Sequence, residues 1–378
     1  MKVLLITTLF PIAEKEYITY ALKDFVEEWQ KDGTEVLVLR PTFKSKVQKP
    51  HLPYVHVLEG RRIPVIESYL IDPIKKLQEL NFKPDVVVAH MFKSFIWASK
   101  VSSHFRSPLV VGIHNTDLFF SRFPHVKIRM KKVFQEARLI ACRSDAIKVH
   151  FLAQYPQFAE KTKSFPSGIP AQDIVSESVF SQKIEHLISS RKFVFGTVGK
   201  LQKLKNVDQV LKALSKLPKD YNWSYHIVGD GPELQSLKQL SSKLGLKEKV
   251  TFHGWLKKTQ VNKILSQTNV YVMVSAPETL GLVYLEAMAK GNIVIGAKGW
   301  GVDGIIQNGE NGFLCAPNDD SDLKKTLRYL NEAPPEVLKN LSHKTHITIH
   351  KYTREESSKN YLLTISETLR NNKRAMFE

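Results

Sequence analysis

Short runs of β-branched and aliphatic residues alternate with amphipathic stretches along the whole chain, and this pattern constrains the fold most. KVLLITT (2–8), EVLVLRP, PDVVVAH, PLVVGIHN and RLIACRS are each apolar almost throughout. Runs of that kind predict strands buried on both faces, which is the habit of parallel sheets covered by helices. Between the first two, Tyr17 to Lys31 has a helical pattern that sets Leu22, Phe25, Val26 and Trp29 on one side. A second series begins at KFVFGTVGK (192–200) and continues through WSYHIVGDG, KVTFHGW, VYVMVSA, NIVIGAK and NGFLCAP. Two such series predict an α/β fold of two Rossmann-like domains facing a cleft. The first domain spans 1–170 and ends near SFPSGIP. Residues 171–191 form a connection containing a helix, and the second domain spans 192–350. A C-terminal helix lies in 351–378, centred on Thr353 to Asn371, and packs back toward the first domain.

A chain of 378 residues holds two domains of ordinary size. No apolar run approaches the roughly 18 residues of a membrane span. MKVLLITTLF is followed at once by Pro11, Glu14 and Glu16, so it is expected to be a first strand rather than a signal peptide. Cys142 and Cys315 lie in the apolar segments LIAC and GFLC and are expected as free, buried thiols. Together these features fit the cytoplasm. The formal net charge of +18 favours anionic partners: nucleic acid, anionic lipid or phosphorylated substrates.

The richest chemistry lies in PETLGLVYLEAMAKG (277–291). The preceding VYVMVSA is a strand expected to end near Ser275, so Glu278 falls in a loop and Glu286 about one turn into a helix. A helix start offers free N–H groups and a positive dipole end to a phosphate. A carboxylate one turn further in suits ribose hydroxyls. Glu286, set among Leu285, Ala287, Met288 and Ala289, needs partners for a part-buried charge. In open α/β sheets ligands bind beyond the carboxyl ends of strands. Gly199, Lys200 and Lys205 follow such an end, and two lysines there can neutralise a diphosphate; a solvated lysine-rich loop explains them equally well when taken alone. IVGDGPE (227–233) puts Gly229 and Gly231 around Asp230, with Pro232 opening a helix. IVIGAKGWGVDG (293–304) supplies four more glycines. In the first half, GIHNTD puts His114 at a strand end and Asp117 three residues later; a structural histidine is the competing explanation.

Residues 101–150 carry nine Lys/Arg against three Asp/Glu. Within them, HVKIRMKKVFQEAR (125–138) predicts a helix with Val126, Met130, Val133, Phe134 and Ala137 toward the core. Lys127, Lys131, Lys132 and Arg138 lie opposite, with Ile128 among them. A solvated face is one explanation; a surface that docks on an anionic membrane is the other.

Taken in order, GKLQKLKN, VGDGPE, FHGW, PETLGLVYLEAMAKG and GWGVDGIIQNGENGFL resemble the retaining, two-Rossmann (GT-B type) glycosyltransferases of the bacterial group 1 family, the fourth in the usual classification. The resemblance covers nearly the whole chain and is strongest from Phe193 to Leu314. It implies that Lys200 and Lys205 bind a donor diphosphate and that Glu286 binds the donor ribose. It implies that Glu278 and the backbone from Thr279 to Val283, including Gly281, Leu282 and Val283, contact the transferred sugar and phosphate. His114 matches a family histidine near the reacting centre, and the acceptor lies mainly against the first domain. The chain departs from the family at several points. No adjacent glycines follow the first strand, Lys200 stands for an arginine, Asn206 for a glycine, and Ser167 for an asparagine.

The expected function is transfer of a hexose-type sugar, with retention, from a UDP- or GDP-linked donor. The acceptor is a lipid-linked or saccharide molecule in cell-surface polysaccharide synthesis, met at the inner face of the membrane. No cofactor and no metal is implied, since lysines and a helix N-terminus can stabilise the leaving diphosphate. The alternatives are a sugar-nucleotide epimerase of the same fold and a basic nucleic-acid-binding protein. The second lacks aromatic interleaving in its basic stretches.

Overall fold

The computed structural model describes residues 1–11, 21–42, 50–59, 61–62 and 69–374. Part of the expected first helix and most of the loop after the first strand lie outside them. The chain forms two compact units. The first comprises Met1–Arg143, Ile147–Ser167 and Arg354–Glu378; the second comprises Ser144–Ala146 and Gly168–Thr353.

Seven parallel strands make the sheet of the first unit: β1 (Lys2–Thr7), β2 (Glu35–Thr42), β3 (Val55–Glu59), β4 (Val86–His90), β5 (Leu109–Ile113), β6 (Leu139–Cys142) and β7 (Thr162–Ser164). Their order is β3-β2-β1-β4-β5-β6-β7. The second unit has β8 (Phe193–Val198), β9 (Trp223–Val228), β10 (Val250–Gly254), β11 (Val270–Val272), β12 (Ile293–Ala297) and β13 (Phe313–Cys315). Their order is β10-β9-β8-β11-β12-β13, again all parallel. Each unit thus winds outward from its first strand, crosses back and winds the other way. The crevice at that reversal is where doubly wound sheets bind ligands.

The expected apolar stripes are the buried ones. Leu22, Phe25, Val26 and Trp29 of the Ala21–Lys31 helix are all buried. Val86, Val87, Val88 and Ala89 are fully buried, as a strand covered on both faces requires. Both cysteines are free and buried.

The segment 171–191, expected as a connection, is part of the second unit. Its helix, Glu177–Ser190, buries Phe180, Ile184 and Leu187 in that unit's core. Lys183 donates to the carbonyls of Leu265 and Lys290 (3.3 and 2.6 Å), at the C-terminal ends of two further helices. Those carbonyls carry partial negative charge that a lysine satisfies.

The last helix, Arg354–Arg374, completes the first unit's core. Tyr361 and Ile365 are fully buried there. The Tyr361 ring stacks on Phe165 (4.5 Å between centroids) and meets Phe25 and Trp29 edge-on. The Trp29 indole N–H donates to the Ser358 carbonyl at 3.1 Å, and Arg354 pairs with Asp24 at 3.2 Å. Replacing Tyr361 with Ala should therefore cost the first unit about 3–5 kcal/mol, the range for removing a large buried ring. Urea denaturation followed by tryptophan fluorescence measures this; a loss below about 1 kcal/mol would show that the helix is only loosely attached.

Candidate functional site

In the second unit the chain leaves β8 at Gly199 and turns back through Leu201, which is buried and tied to the next strand's loop by Leu201 N–H to Asp230 O at 2.9 Å. A single turn of 3₁₀ helix, Lys203–Lys205, follows. Asn206 then takes φ +52°, the left-handed conformation that Asn tolerates better than most residues. Its side-chain amide donates to the Val274 carbonyl at 2.8 Å. Asn206 thus adopts the positive φ for which a glycine would be expected and adds an anchor that glycine lacks.

β11 stops at Val272, three residues before the expected end at Ser275. From Val274 onward the backbone pairs with the lysine turn, through Asn206 and through Ala276 N–H to Leu204 O at 2.9 Å. That pairing brings Lys205 onto Glu278: Nζ lies 2.5 Å from Oε2, with both side chains mostly buried. Glu278 also accepts from the Ser275 hydroxyl and the Thr279 N–H, each at 3.2 Å, and its carbonyl accepts from Gly301 N–H at 3.2 Å.

Gly281 enters the Leu282–Ala289 helix at φ +76°. A Cβ there would lie 2.5 Å from the Tyr284 ring, so only glycine fits both the conformation and the space. The first N–H groups of this helix, at Leu282 and Val283, lack i−4 partners within it. One turn on, Glu286 Oε1 pairs with Lys258 at 2.5 Å. Lys200 is exposed and makes no ion pair among the described residues. Pro232 precedes its helix by two residues instead of opening it: the turn closes through Leu234 N–H to Gly231 O, and the helix begins at Leu234.

His114 belongs to the first unit. It ends the loop after β5 and precedes the short Asn115–Phe120 helix. Its Nε2 lies 3.0 Å from Nδ1 of His90, the last residue of β4, whose Nε2 lies 3.4 Å from the Tyr361 hydroxyl. Gly112 faces His90 across the ladder, and a Cβ there would sit 2.0 Å from the His90 ring. The glycine of GIHNTD therefore makes room for a histidine from the neighbouring strand. Asp117 is fully buried and accepts from the N–H groups of His114 and Phe92, both at 2.8 Å, which pins the starts of two helices. Met91, which caps the Phe92–Phe105 helix, holds φ +72° and ψ 127°, a strained conformation for a side-chain-bearing residue.

Burial, with the nearby Arg143 charge second, pushes His114 down to about 3. Burial drives His90 well below its ordinary value, with His114 and Arg143 adding to the effect. Burial raises Asp117 to about 7 against its two N–H donors. Both imidazoles are neutral at physiological pH, so one ring donates to the other across the 3.0 Å contact. Arg143 is itself buried, donates to the Ser167 hydroxyl and lies 4.5 Å from the Phe25 ring centre.

Of the residues expected from sequence, Gly199, Lys205, Glu278, Gly281, Leu282, Val283 and Glu286 gather along the carboxyl edge of the second sheet. Lys258, His90, Arg143 and Tyr361 were not anticipated. His90 carries the same signal as His114, a histidine ending an apolar strand. The other three act across long sequence separations that no local pattern records.

Two family descriptions match the chain: Glycosyltransferase Family 4 over residues 19–173 and Glycosyl transferases group 1 over residues 179–347. N-acetyl-alpha-D-glucosaminyl L-malate synthase of Bacillus anthracis is 29% identical over 277 residues, covering 72% of this chain and 69% of that protein. Alpha-monoglucosyldiacylglycerol synthase of Acholeplasma laidlawii is 28% identical over 200 residues, covering 51% of this chain and 50% of that protein. The chain thus spans about two thirds of the first relative and half of the second. Anabaena HepE, solved with UDP, superposes with a TM-score of 0.75 at 22% identity, covering 97% of this chain and all of that one. The galactosyltransferase WaaB gives 0.74 at 18%, covering 97% of this chain and 99% of that one. These likenesses define a GT-B fold. The chain belongs to the group 1 glycosyltransferases, family 4, and is a glycosyltransferase.

Two outcomes test the geometry. Lys205→Ala strands a mostly buried carboxylate, so it should cost about 1–3 kcal/mol of stability. Removing Glu278 as well should restore part of that loss, which a double-mutant cycle measures; strictly additive losses would mean the pair is not coupled. The second outcome is pH dependence. His114 titrates near 3 when folded and near the ordinary 6.5 when unfolded. The unfolded chain therefore binds the proton first as pH falls, and stability declines from about pH 6.5 downward. His114→Gln should flatten that decline by up to about 1.4 kcal/mol per pH unit. Parallel curves for the two proteins between pH 4.5 and 6.5 would mean that His114 is not buried in its neutral form.

Proposed function

We propose that the chain transfers a hexose-type sugar, with anomeric retention, from a UDP- or GDP-linked donor to a lipid-linked or saccharide acceptor in cell-surface polysaccharide synthesis. The observation that carries this reading is the strand-edge cluster of Lys205, Glu278 and Glu286 around the start of the Leu282–Ala289 helix. A donor diphosphate would accept from the helix N–H groups at Leu282 and Val283, with Lys205 shared between it and Glu278, and Lys200 approaching from solvent. Glu286, steadied at Oε1 by Lys258, would take the ribose hydroxyls. His114, neutral and held by His90, would serve the reaction as a hydrogen-bonding group of the first unit. In this reading attack comes from the same face as departure, and the leaving phosphate accepts the acceptor's proton, so no protein nucleophile is needed. The UDP complex of the similarly folded HepE supports a nucleotide donor.

Glu286→Ala should weaken UDP or GDP binding at least tenfold in calorimetry, since hydrogen bonds to a charged group contribute about 1.5–3 kcal/mol. Unchanged affinity would remove the ribose assignment. Proton NMR of the product from an α-linked donor reports retention or inversion directly.

The basic helix supports a membrane-surface acceptor. It runs Pro124–Glu136, with Met130, Val133 and Phe134 buried and Lys127, Lys131 and Lys132 exposed beside Ile128, which is 71% exposed. Each basic residue near an anionic leaflet contributes about 1 kcal/mol. Changing the three lysines to Glu should abolish sedimentation with anionic vesicles at physiological salt while nucleotide binding persists. Unaltered sedimentation would assign the charge to another role. No helix among the described residues is long and apolar enough to cross a membrane.

A further inference from the structure

The first unit exposes large apolar side chains in one neighbourhood: Ile96 (40%), Phe119 (52%) and Phe123 (46%) lie on or beside the Phe92–Phe105 and Pro124–Glu136 helices. Between those helices is a cavity of about 410 Å³. Its apolar lining includes Ile96, Trp97, Phe120, Phe123, Val126 and Met130. The Phe92 and Phe120 rings pack against each other at 4.5 Å. Lys93, Lys100 and Arg129 also line it, and none of the described lining residues is acidic. Protein interiors leave few voids larger than a water molecule, and this volume lies in the range of about 300–1,000 Å³ typical of small-ligand sites.

The chemistry of the lining selects the occupant. An apolar, aromatic trough calls for hydrocarbon, and three cations without an acidic neighbour in the lining call for an anion. A ten-residue helix, about 15 Å long and 10 Å across, occupies roughly 1,200 Å³. It would lie over the cavity and leave the aromatic floor uncovered, whereas one extended alkyl chain enters.

We propose that this cavity binds the hydrocarbon chain of a lipid phosphate, with the cations of its lining, Lys93, Lys100 and Arg129, supplying the countercharge, and that this lipid carries the glycosyl acceptor. The identification with the acceptor rests on the transferase reading above; the binding site itself does not. Such a site would draw a single chain out of the bilayer and fix the headgroup on the first unit, which surface adsorption by the basic helix alone does not achieve.

The test uses n-alkyl phosphates of 6–14 carbons below their micellar concentrations. Binding is read by calorimetry and by quenching of Trp97, which lines the cavity, with chain-brominated analogues. Affinity should rise about fourfold per methylene and level off once the cavity is full. The alcohol of equal length should bind at least tenfold more weakly, and Lys93→Gln with Arg129→Gln should erase that difference. Val126→Trp, which fills the cavity, should block binding while UDP affinity, a property of the second unit, is unchanged. Ile96→Glu, at an already exposed position, gives the same readout should the tryptophan variant fail to fold. Equal binding of phosphate and alcohol, affinity that never levels off, or full binding by both cavity variants would overturn the proposal. So would a dimer dispersed by Phe123→Glu with no alkyl phosphate bound, which would make the face a self-contact. If alkyl phosphates bind but neither UDP nor GDP does, the proposed donor reading fails and the lipid site stands; the converse sinks the lipid site alone.

Discussion

Every strand in both main sheets runs parallel to its neighbours, and the rest of the structure depends on that constraint. Parallel strands cannot be joined by tight hairpins, so each connection must cross a face of the sheet, usually as a helix. The crossings cover both faces and keep the strands mainly apolar. They also send every strand's carboxyl end to the same edge. Chemistry therefore collects in the loops at those ends: Gly199 to Asn206 after β8, Met273 to Gly281 after β11, Met91 after β4, and His114 after β5.

Ion pairing and hydrogen bonding join these loops to one another. Lys205 and Glu278 fix each other, and Asn206 fixes both loops by taking the Val274 carbonyl. A part-buried ion pair gains little net stability once desolvation is counted, but it makes the position of each partner costly to change. A diphosphate arriving beside Lys205 would meet a cation already in place. In the first unit the His90–His114 pair is held without an ion pair among the described residues. His90 and His114 stay neutral through burial, and Gly112 supplies the space that lets the two rings meet.

The fold was largely legible because its signal is local and repeated. The runs at 86–90 and 193–198 appear as strands where the apolar pattern placed them, and the stripe of Leu22, Phe25, Val26 and Trp29 is the buried one. The expected strand end at Ser275 failed because hydrophobicity continues through Met273 and Val274 after the backbone has left the ladder. Segment 171–191 reads as a connection because it has no strand, yet its helix buries Phe180, Ile184 and Leu187 in the second unit's core. Within the site, Glu278 and Glu286 were recognisable from spacing along one segment. Their partners, Lys205 and Lys258, lie 73 and 28 residues earlier, and nothing near either lysine says which carboxylate it will meet. Tyr361 is harder still, since its contact with His90 joins positions 271 residues apart.

That last contact has a consequence for biosynthesis. Residues of the first unit's core are separated by the whole of the second unit, so the half that leaves the ribosome first cannot finish folding first. Until residues 354–374 emerge, Phe25, Trp29 and Phe165 lack the ring that packs among them. The second unit, continuous apart from three residues, can close on its own beforehand. During synthesis the nascent protein is then a finished second unit attached to an incomplete, apolar sheet. The amino-terminal half depends on the carboxyl-terminal helix to end its exposure to aggregation.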